Sequence, residues 1–394
     1  MRLGIVVLCV AVGWCGVSFG EPSQQLKIGY MWMKPSKIRV SLLDVPADND
    51  GLAGAQLAID DNATTGQFLN LGFDLVDREV SKGEDPTEAV KELADEGVGM
   101  IVTSLDAERL LAVASAAMAH GQLILNAVAI DERLRAEDCR GNVIHVAPSR
   151  TMLSDGLTQY LTWKNWKRWL LVVGSHDNDK LFADALRRSA AKFGAKIVDE
   201  REFKDTGGAR RTDSGIVEVQ RQMPLLTQGA PEHDVVVAAD ESEVFAGYLP
   251  FRTFVPRPVV GSAGLVPGTW NAAFDQWGAV QLQNRFVIKF HRPMSTLDMQ
   301  VWTAVRMVGE ASVRTGSADV AKLVDYIKSP EFSVAAFKGQ KLTLRDWDMQ
   351  LRQPILLFDG RNTVSVSPQH GYLHQYSSLD TLGTDRPSSK CKLN

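Results

Sequence analysis

Short, continuous apolar runs recur along this chain, each followed by a turn and an amphipathic stretch, in two successive series. The first series comprises Leu26–Tyr30, Phe73–Val76, Met100–Thr103, Leu123–Asn126 and Val143–Val146. The second comprises Trp169–Val173, Lys196–Val198, Val235–Ala239, Pro258–Gly261 and Arg285–Lys289. Strands that are apolar along their whole length are covered on both faces, as in parallel sheets flanked by helices. The intervening segments carry helix ends. Asp85-Pro86-Thr87-Glu88 combines an N-cap, a first-turn proline and a capping acid. Phe182, Ala185, Leu186, Ser189, Ala190 and Phe193 make one helical face closed by Gly194.

Strand, helix and strand in this order require right-handed parallel crossovers. Two series therefore predict an α/β fold of two lobes, each a mainly parallel sheet between helices, with a cleft at the hinge. Pro148-Ser149 breaks the alternation, and the later chain turns helical and then extended. The expected division is residues 26–147 plus 291–344 for lobe 1 and 148–290 plus 345–386 for lobe 2. The polar tail, residues 387–394, is expected to be loose from about Thr384 onward. The length of 394 residues suits two such cores. With 43 Lys+Arg against 47 Asp+Glu, the chain lacks the basic excess of a nucleic-acid binder.

Residues 1–20 read as a secretory leader. Met1-Arg2 is followed by an uncharged apolar run from Leu3 to Val17 and by Ser18-Phe19-Gly20, a cleavage-type ending before Glu21-Pro22. The run is short for a membrane span. Export leaves Cys139 and Cys391, which can remain two free thiols or form one bridge. The bridge is expected, since an exposed thiol is a liability in an oxidising compartment.

Catalytic and cofactor motifs are missing: no Walker A pattern, G-x-G-x-x-G, H-E-x-x-H or C-x-x-C occurs. No catalytic residue, metal site or resident cofactor is assigned. Gly174-Ser175-His176-Asp177 places triad residue types side by side, but triad members meet from separate segments. His370 and His374 have helical metal-pair spacing, yet Pro368 and Gly371 argue against a helix there.

In parallel α/β sheets, ligands bind beyond the carboxyl ends of the strands. The loops at those ends carry Ser104-Leu105-Asp106, Ala129-Ile130-Asp131, Asn178-Asp179, Asp240-Glu241 and Ser262-Ala263, and the first strand ends near Trp32. These are the candidate ligand-binding residues. Their carboxylates have two readings. Each acid can cap the helix that follows it. Alternatively, together they line an acidic cleft suited to a cationic or metal-associated ligand.

The stretch Gly51-Leu52-Ala53-Gly54-Ala55-Gln56-Leu57-Ala58-Ile59-Asp60-Asp61-Asn62 resembles the first helix of type I periplasmic binding proteins, the Leu/Ile/Val-binding class. Leu181–Gly194 with Ala195-Lys196-Ile197-Val198 resembles the opening helix and strand of that class's second lobe. Several later segments resemble a narrower family. They include Tyr248-Leu249-Pro250-Phe251-Arg252-Thr253-Phe254, Gln281-Leu282-Gln283-Asn284-Arg285-Phe286, Leu351-Arg352-Gln353-Pro354-Ile355-Leu356-Leu357 and Leu379-Asp380-Thr381-Leu382-Gly383-Thr384-Asp385. That family comprises ABC-transporter substrate-binding proteins found with pyrroloquinoline-quinone-dependent alcohol dehydrogenase systems.

The resemblance implies a monomeric, non-enzymatic, periplasmic protein that captures a small ligand by lobe closure and delivers it to an inner-membrane permease. The amino-acid binders hold the ligand carboxylate where this chain has Ser104-Leu105-Asp106 and Ala129-Ile130-Asp131. Acids at those positions would repel it, which argues against an ordinary amino acid. The competing functions are a ligand sensor of the same fold, a branched-chain amino-acid binder and an exported enzyme.

Overall fold

A computed structural model describes residues 22, 24–34, 45–206 and 213–393. The leader expected over residues 1–20 lies outside the described residues. The first series of apolar runs forms a parallel sheet from β1 (Gln24–Trp32), β2 (Leu71–Glu79), β3 (Met100–Ser104), β4 (Leu123–Asn126) and β5 (Val143–His145), in spatial order β2-β1-β3-β4-β5. Ile28 pairs with Leu75 on one side and Met100 on the other. Helices α1 (Leu52–Gly66), α2 (Pro86–Asp95) and α3 (Ala107–Ala119) make the crossovers. Asp85 caps α2 through the Thr87 amide at 2.9 Å, with Pro86 in the first turn.

The second series opens with α4 (Arg150–Trp163) and builds β6 (Arg168–Gly174), α5 (Asp177–Phe193), β7 (Lys196–Phe203), α6 (Asp213–Thr227), β8 (Val235–Ala239), the short α7 (Leu249–Arg252) and β9 (Val259–Gly261). The four strands are parallel in the order β7-β6-β8-β9. Val235–Ala239 is buried at every position, as its uninterrupted Val and Ala sequence requires.

The return to the first lobe comes earlier than the sequence suggests. After β10 (Val266–Gly268), the chain enters α8 (Ala279–Phe290), α9 (Thr296–Thr315) and α10 (Val320–Lys328). Trp270, Phe274, Ala279, Leu282 and Phe286 share one core with Ile28, Tyr30 and Val305. The crossing therefore lies near residues 268–270, not between 290 and 291. The expected strand Arg285–Lys289 is instead the last turns of α8, an amphipathic helix that buries Leu282 and Phe286.

A hairpin of β11 (Val334–Ala335) and β12 (Lys341–Leu342) follows, and the chain crosses once more to the second lobe. There β13 (Ile355–Phe358) and β14 (Thr363–Ser367) join β10 in an antiparallel sheet, and Ile355, Leu357 and Leu382 enter the second-lobe core.

The tail is held rather than loose. Lys192 Nζ donates to the carbonyls of Thr381 and Gly383 at 2.7 and 3.0 Å, and Asp155 accepts from the Gly383 amide at 2.8 Å. Arg345, Arg352 and Arg386 lie 5.0–5.3 Å from the Trp347 ring centre. Cys391 is disulfide-bonded to Cys139, with Cα atoms 5.6 Å apart.

Candidate functional site

The carboxyl ends of β3, β4, β6, β8 and β9 carry the expected site loops, and local chemistry fixes each one. Asn126, at the end of β4, accepts from the amides of Val128 and Ala129 at 3.1 and 2.8 Å. Its amide nitrogen donates to the Ala129 carbonyl at 2.8 Å. Buried Arg135 donates to the carbonyls of Ala129, Asp131 and Ala147 at 2.7–3.1 Å and to Gln350 Oε1 at 2.9 Å. Burial lowers its pKa to about 10. Loop 127–131 is thus a braced element with little freedom to adapt.

The acids divide between the two readings. Asp106 caps α3 through the Arg109 amide at 3.0 Å and also pairs with the Arg109 guanidinium. Asp179, fully buried, accepts from the amides of His176 at 3.2 Å and Ser242 at 2.9 Å, tying the β6 loop to the β8 loop. A side chain at Gly174 would place its Cβ 2.2 Å from Asp179 Oδ2, so only glycine admits this arrangement.

Asp240 is 1 % exposed and accepts from the amides of Val244, Phe245 and Ala246 at 2.9, 2.8 and 2.7 Å. Its own amide donates to Ser262 Oγ at 2.8 Å. Burial raises its pKa, and the three amides oppose that shift. Asp106, Asp179 and Asp240 therefore serve helix starts and turns. Of the two readings of these acids, their contacts are those of caps and turns.

Asp131 and Glu241 come together through a residue that the strand-end argument missed. Arg150, at the start of α4, is 4 % exposed. Its guanidinium meets Asp131 Oδ1 of the first lobe at 3.1 Å and both carboxylate oxygens of Glu241 in the second lobe at 2.8 and 2.9 Å. Next to it, the Thr151 amide donates to Glu132 Oε1 at 2.6 Å. A cation in a helix's first turn opposes the helix dipole, and here the carboxylates of Asp131 and Glu241 offset it.

The other candidates are distributed as follows. Leu105 and Ala129 are buried in the core beneath α3, so they position the loops rather than face a ligand. Ile130 is half-buried, and its carbonyl accepts from the Arg150 amide at 3.0 Å. Ser104 Oγ bonds Tyr30 Oη at 3.0 Å. Trp32 donates to Asp77 on β2 at 2.7 Å, which turns it toward the sheet edge. Asn178 is exposed in the first turn of α5, and Ala263 is half-buried.

Beside Arg150, a cleft of about 590 Å³ opens between the first-lobe turn Asp131–Arg133 and the face of α5 that carries Leu181, Asp184 and Arg188. Its walls carry both charge signs. Arg188 donates to Thr151 Oγ1 at 2.9 Å and has no carboxylate within salt-bridge distance among the described residues. Glu132 is engaged by a backbone amide. Among the described residues, no group of three or more His, Cys, Asp and Glu can hold a metal ion, and no helix is long and apolar enough to cross a membrane. His176 pairs with Asp205 at 2.9 Å, and Ser175 Oγ accepts from the Asp205 amide at 3.0 Å.

Residues 46–209 match the family model described as periplasmic binding protein. The fold is that of the two-lobed periplasmic binding proteins. An ABC transporter substrate-binding protein from Sphaerobacter thermophilus superposes with a TM-score of 0.70 at 16 % identity, covering 88 % of this chain and 98 % of that one. A branched-chain amino acid ABC transporter periplasmic ligand-binding protein from Burkholderia xenovorans LB400 gives 0.68 at 18 % identity, covering 86 % and 95 %. A solute-binding protein from R. palustris in complex with benzoate gives 0.64 at 14 % identity, covering 93 % and 99 %. The comparison with curated proteins gives no match.

Proposed function

We propose that this protein is the periplasmic solute-binding component of an ABC transporter. It captures a small polar solute between its lobes and hands it, as a monomer, to an inner-membrane permease. One observation carries the reading. Two parallel sheets present their carboxyl-end loops to each other across a hinge, and a single buried guanidinium bridges a loop from each. Ligands of open parallel sheets bind at those ends, and a two-lobed hinge converts binding into closure.

The cationic ligand inferred from the strand-end acids loses its support, because three of those acids are committed to backbone amides. The same geometry removes the objection to a ligand carboxylate, since Asp106 is occupied by Arg109. The cleft now favours a solute of both charge signs, an amino-acid-like zwitterion. Arg188 would receive its carboxylate, and the acids near Glu132 its cationic group. The resemblance to the pyrroloquinoline-quinone-associated family adds solutes of alcohol oxidation to the candidates.

The test is a calorimetric titration of the purified protein with amino acids, short carboxylic acids, alcohol-derived metabolites and cationic amines, paired with small-angle scattering. A carboxylate-bearing solute should bind, contract the particle and lose affinity in Arg188→Gln. Binding restricted to cationic amines would overturn the ligand assignment. Turnover of a bound solute without partners would overturn the transport reading.

A further inference from the structure

A second groove lies on the first lobe and shares no residue with the interlobe cleft. It encloses about 660 Å³ between α1, α9, the approach to α8 and the β11–β12 hairpin. Three aromatic rings shape it. Trp302, from α9, packs at 5.7 Å from Phe337. Trp277 stands beside them with half its surface in solvent. Its ring covers Gly339 so closely that a Cβ there would lie 2.5 Å from Trp277 Cε2.

Trp277 and Phe337 both have left-handed backbones, at φ 50° and 54°. Bulky residues rarely adopt that conformation, and where they do the surroundings must hold them. Two such residues in one groove place aromatic faces where a relaxed backbone would not.

The charges of the groove do not balance. Among the described residues, Asp61 is the one carboxylate lining it, and it is already engaged. Arg285 grips it with two nitrogens at 2.6 and 3.0 Å, and Trp302 Nε1 donates to it at 2.9 Å. Arg306 is left with a neutral partner, Asn62 Oδ1, and lies 5.9 Å from the Trp302 ring centre. Burial pulls its pKa below the usual guanidinium range, with Asp61 and Glu310 opposing the shift and Arg285 reinforcing it. Glu310 is itself paired with Arg314 at 2.8 Å. Lys341 adds a further exposed cation at the rim. Lys338 also borders the groove, but its ammonium is directed to Gln353.

We propose that this groove is a second binding site, for a planar aromatic carboxylate. The ligand ring would stack on Trp277, and its anionic group would meet Arg306 and Lys341. Aromatic walls with a few convergent polar groups are the usual make-up of a small-molecule site. A half-desolvated guanidinium beside an indole face gains both an ion pair and a stacked partner from such a ligand. The assignment does not rest on the transport reading, because it uses only first-lobe residues remote from the cleft.

Titration of the purified protein with 1-naphthoate, 1-naphthylmethanol and 1-naphthylmethylamine tests it, read by calorimetry and tryptophan fluorescence. The naphthoate should bind and quench fluorescence, and the amine should not bind. Arg306→Gln and Trp277→Ala should each weaken naphthoate by about tenfold or more. Should Arg306→Gln fail to fold, the exposed substitution Lys341→Glu carries the charge test, with about threefold weakening expected. Absence of naphthoate binding at millimolar concentration would overturn the proposal. So would equal binding of the amine, or binding kept in both Arg306→Gln and Trp277→Ala.

Discussion

Lys338 is 2 % exposed, and among the described residues its ammonium has one hydrogen-bond acceptor, Gln353 Oε1 at 2.6 Å. Gln353 in turn donates to the Val146 carbonyl at 2.6 Å, at the first passage between lobes. With no carboxylate in that chain of contacts, burial lowers the Lys338 pKa from 10.5 to about 7. In the unfolded chain the lysine keeps its proton until about pH 10.5. Between pH 7 and 10.5 the unfolded state therefore binds more protons, and stability rises with pH. Below pH 7 both states are protonated, and the fold carries the full cost of a buried charge.

Over the whole window this amounts to about 5 kcal/mol, of which about 2 kcal/mol falls between pH 7 and 9. Lys338→Met removes the titration but leaves Gln353 Oε1 without its donor, at about 1–3 kcal/mol. At pH 7 the variant should therefore be the more stable protein, by at least about 1 kcal/mol. Urea unfolding at pH 7, 8 and 9 measures both quantities. Wild-type stability should climb by about 2 kcal/mol more than that of the variant over that range. Parallel pH profiles, or a variant less stable at pH 7, would refute the reasoning.

The other expectations concern the loops and the tail. Asp240→Asn sets an amide nitrogen against at least one of three backbone donors, so urea unfolding should show a loss of about 2–3 kcal/mol with solute affinity unchanged. The reverse pattern would put Asp240 in the ligand site. Arg150→Met removes the buried cation that Asp131 and Glu241 share. It should cost about 3–5 kcal/mol and speed amide exchange in loops 127–131 and 240–246. Arg150→Lys should rescue little, since the bidentate grip on Glu241 needs a guanidinium. His145 is held neutral by burial and the nearby Arg135 charge, well below the ordinary imidazole value. The unfolded chain takes up its proton first, so stability should fall as pH drops below about 6.5, and less steeply in His145→Gln.

The strands of the first lobe were legible because most are short runs rich in Val, Ile and Leu bounded by turn residues. Arg285–Lys289 has the same look, with Phe286, Val287 and Ile288 in succession, and is nevertheless helical. A short apolar run does not reveal its period. What decides the matter is the left-handed Gly278 and His291 at the two ends of α8, together with the aromatic core that receives Leu282 and Phe286. The second crossing was misplaced for the same reason, since a strand there would have belonged to the second sheet. The acids were found, with capping and ligand binding both left open. An aspartate that begins a helix looks the same in sequence whether its carboxylate turns back to the amides or outward to a ligand. Only packing distinguishes Asp240, which is sealed among three amides, from Asp131, whose carboxylate meets buried Arg150 instead.

The disulfide bears on how far such a molecule can move. Residues up to Gly383 are moored to the second lobe through Lys192 and Asp155, whereas Cys391 is bonded to Cys139 of the first. The chain between Gly383 and Cys391 is therefore a leash, fastened at both ends. Fully extended, those eight steps span about 28 Å. In the structure part of that length is taken up by a turn at Arg386–Ser388 and by the Arg386–Asp346 ion pair. Any rotation of one lobe against the other would draw on this slack first and then meet a covalent stop, so tail length would limit the opening. Shortening the tail by two or three residues would narrow the open state while leaving every cleft residue in place.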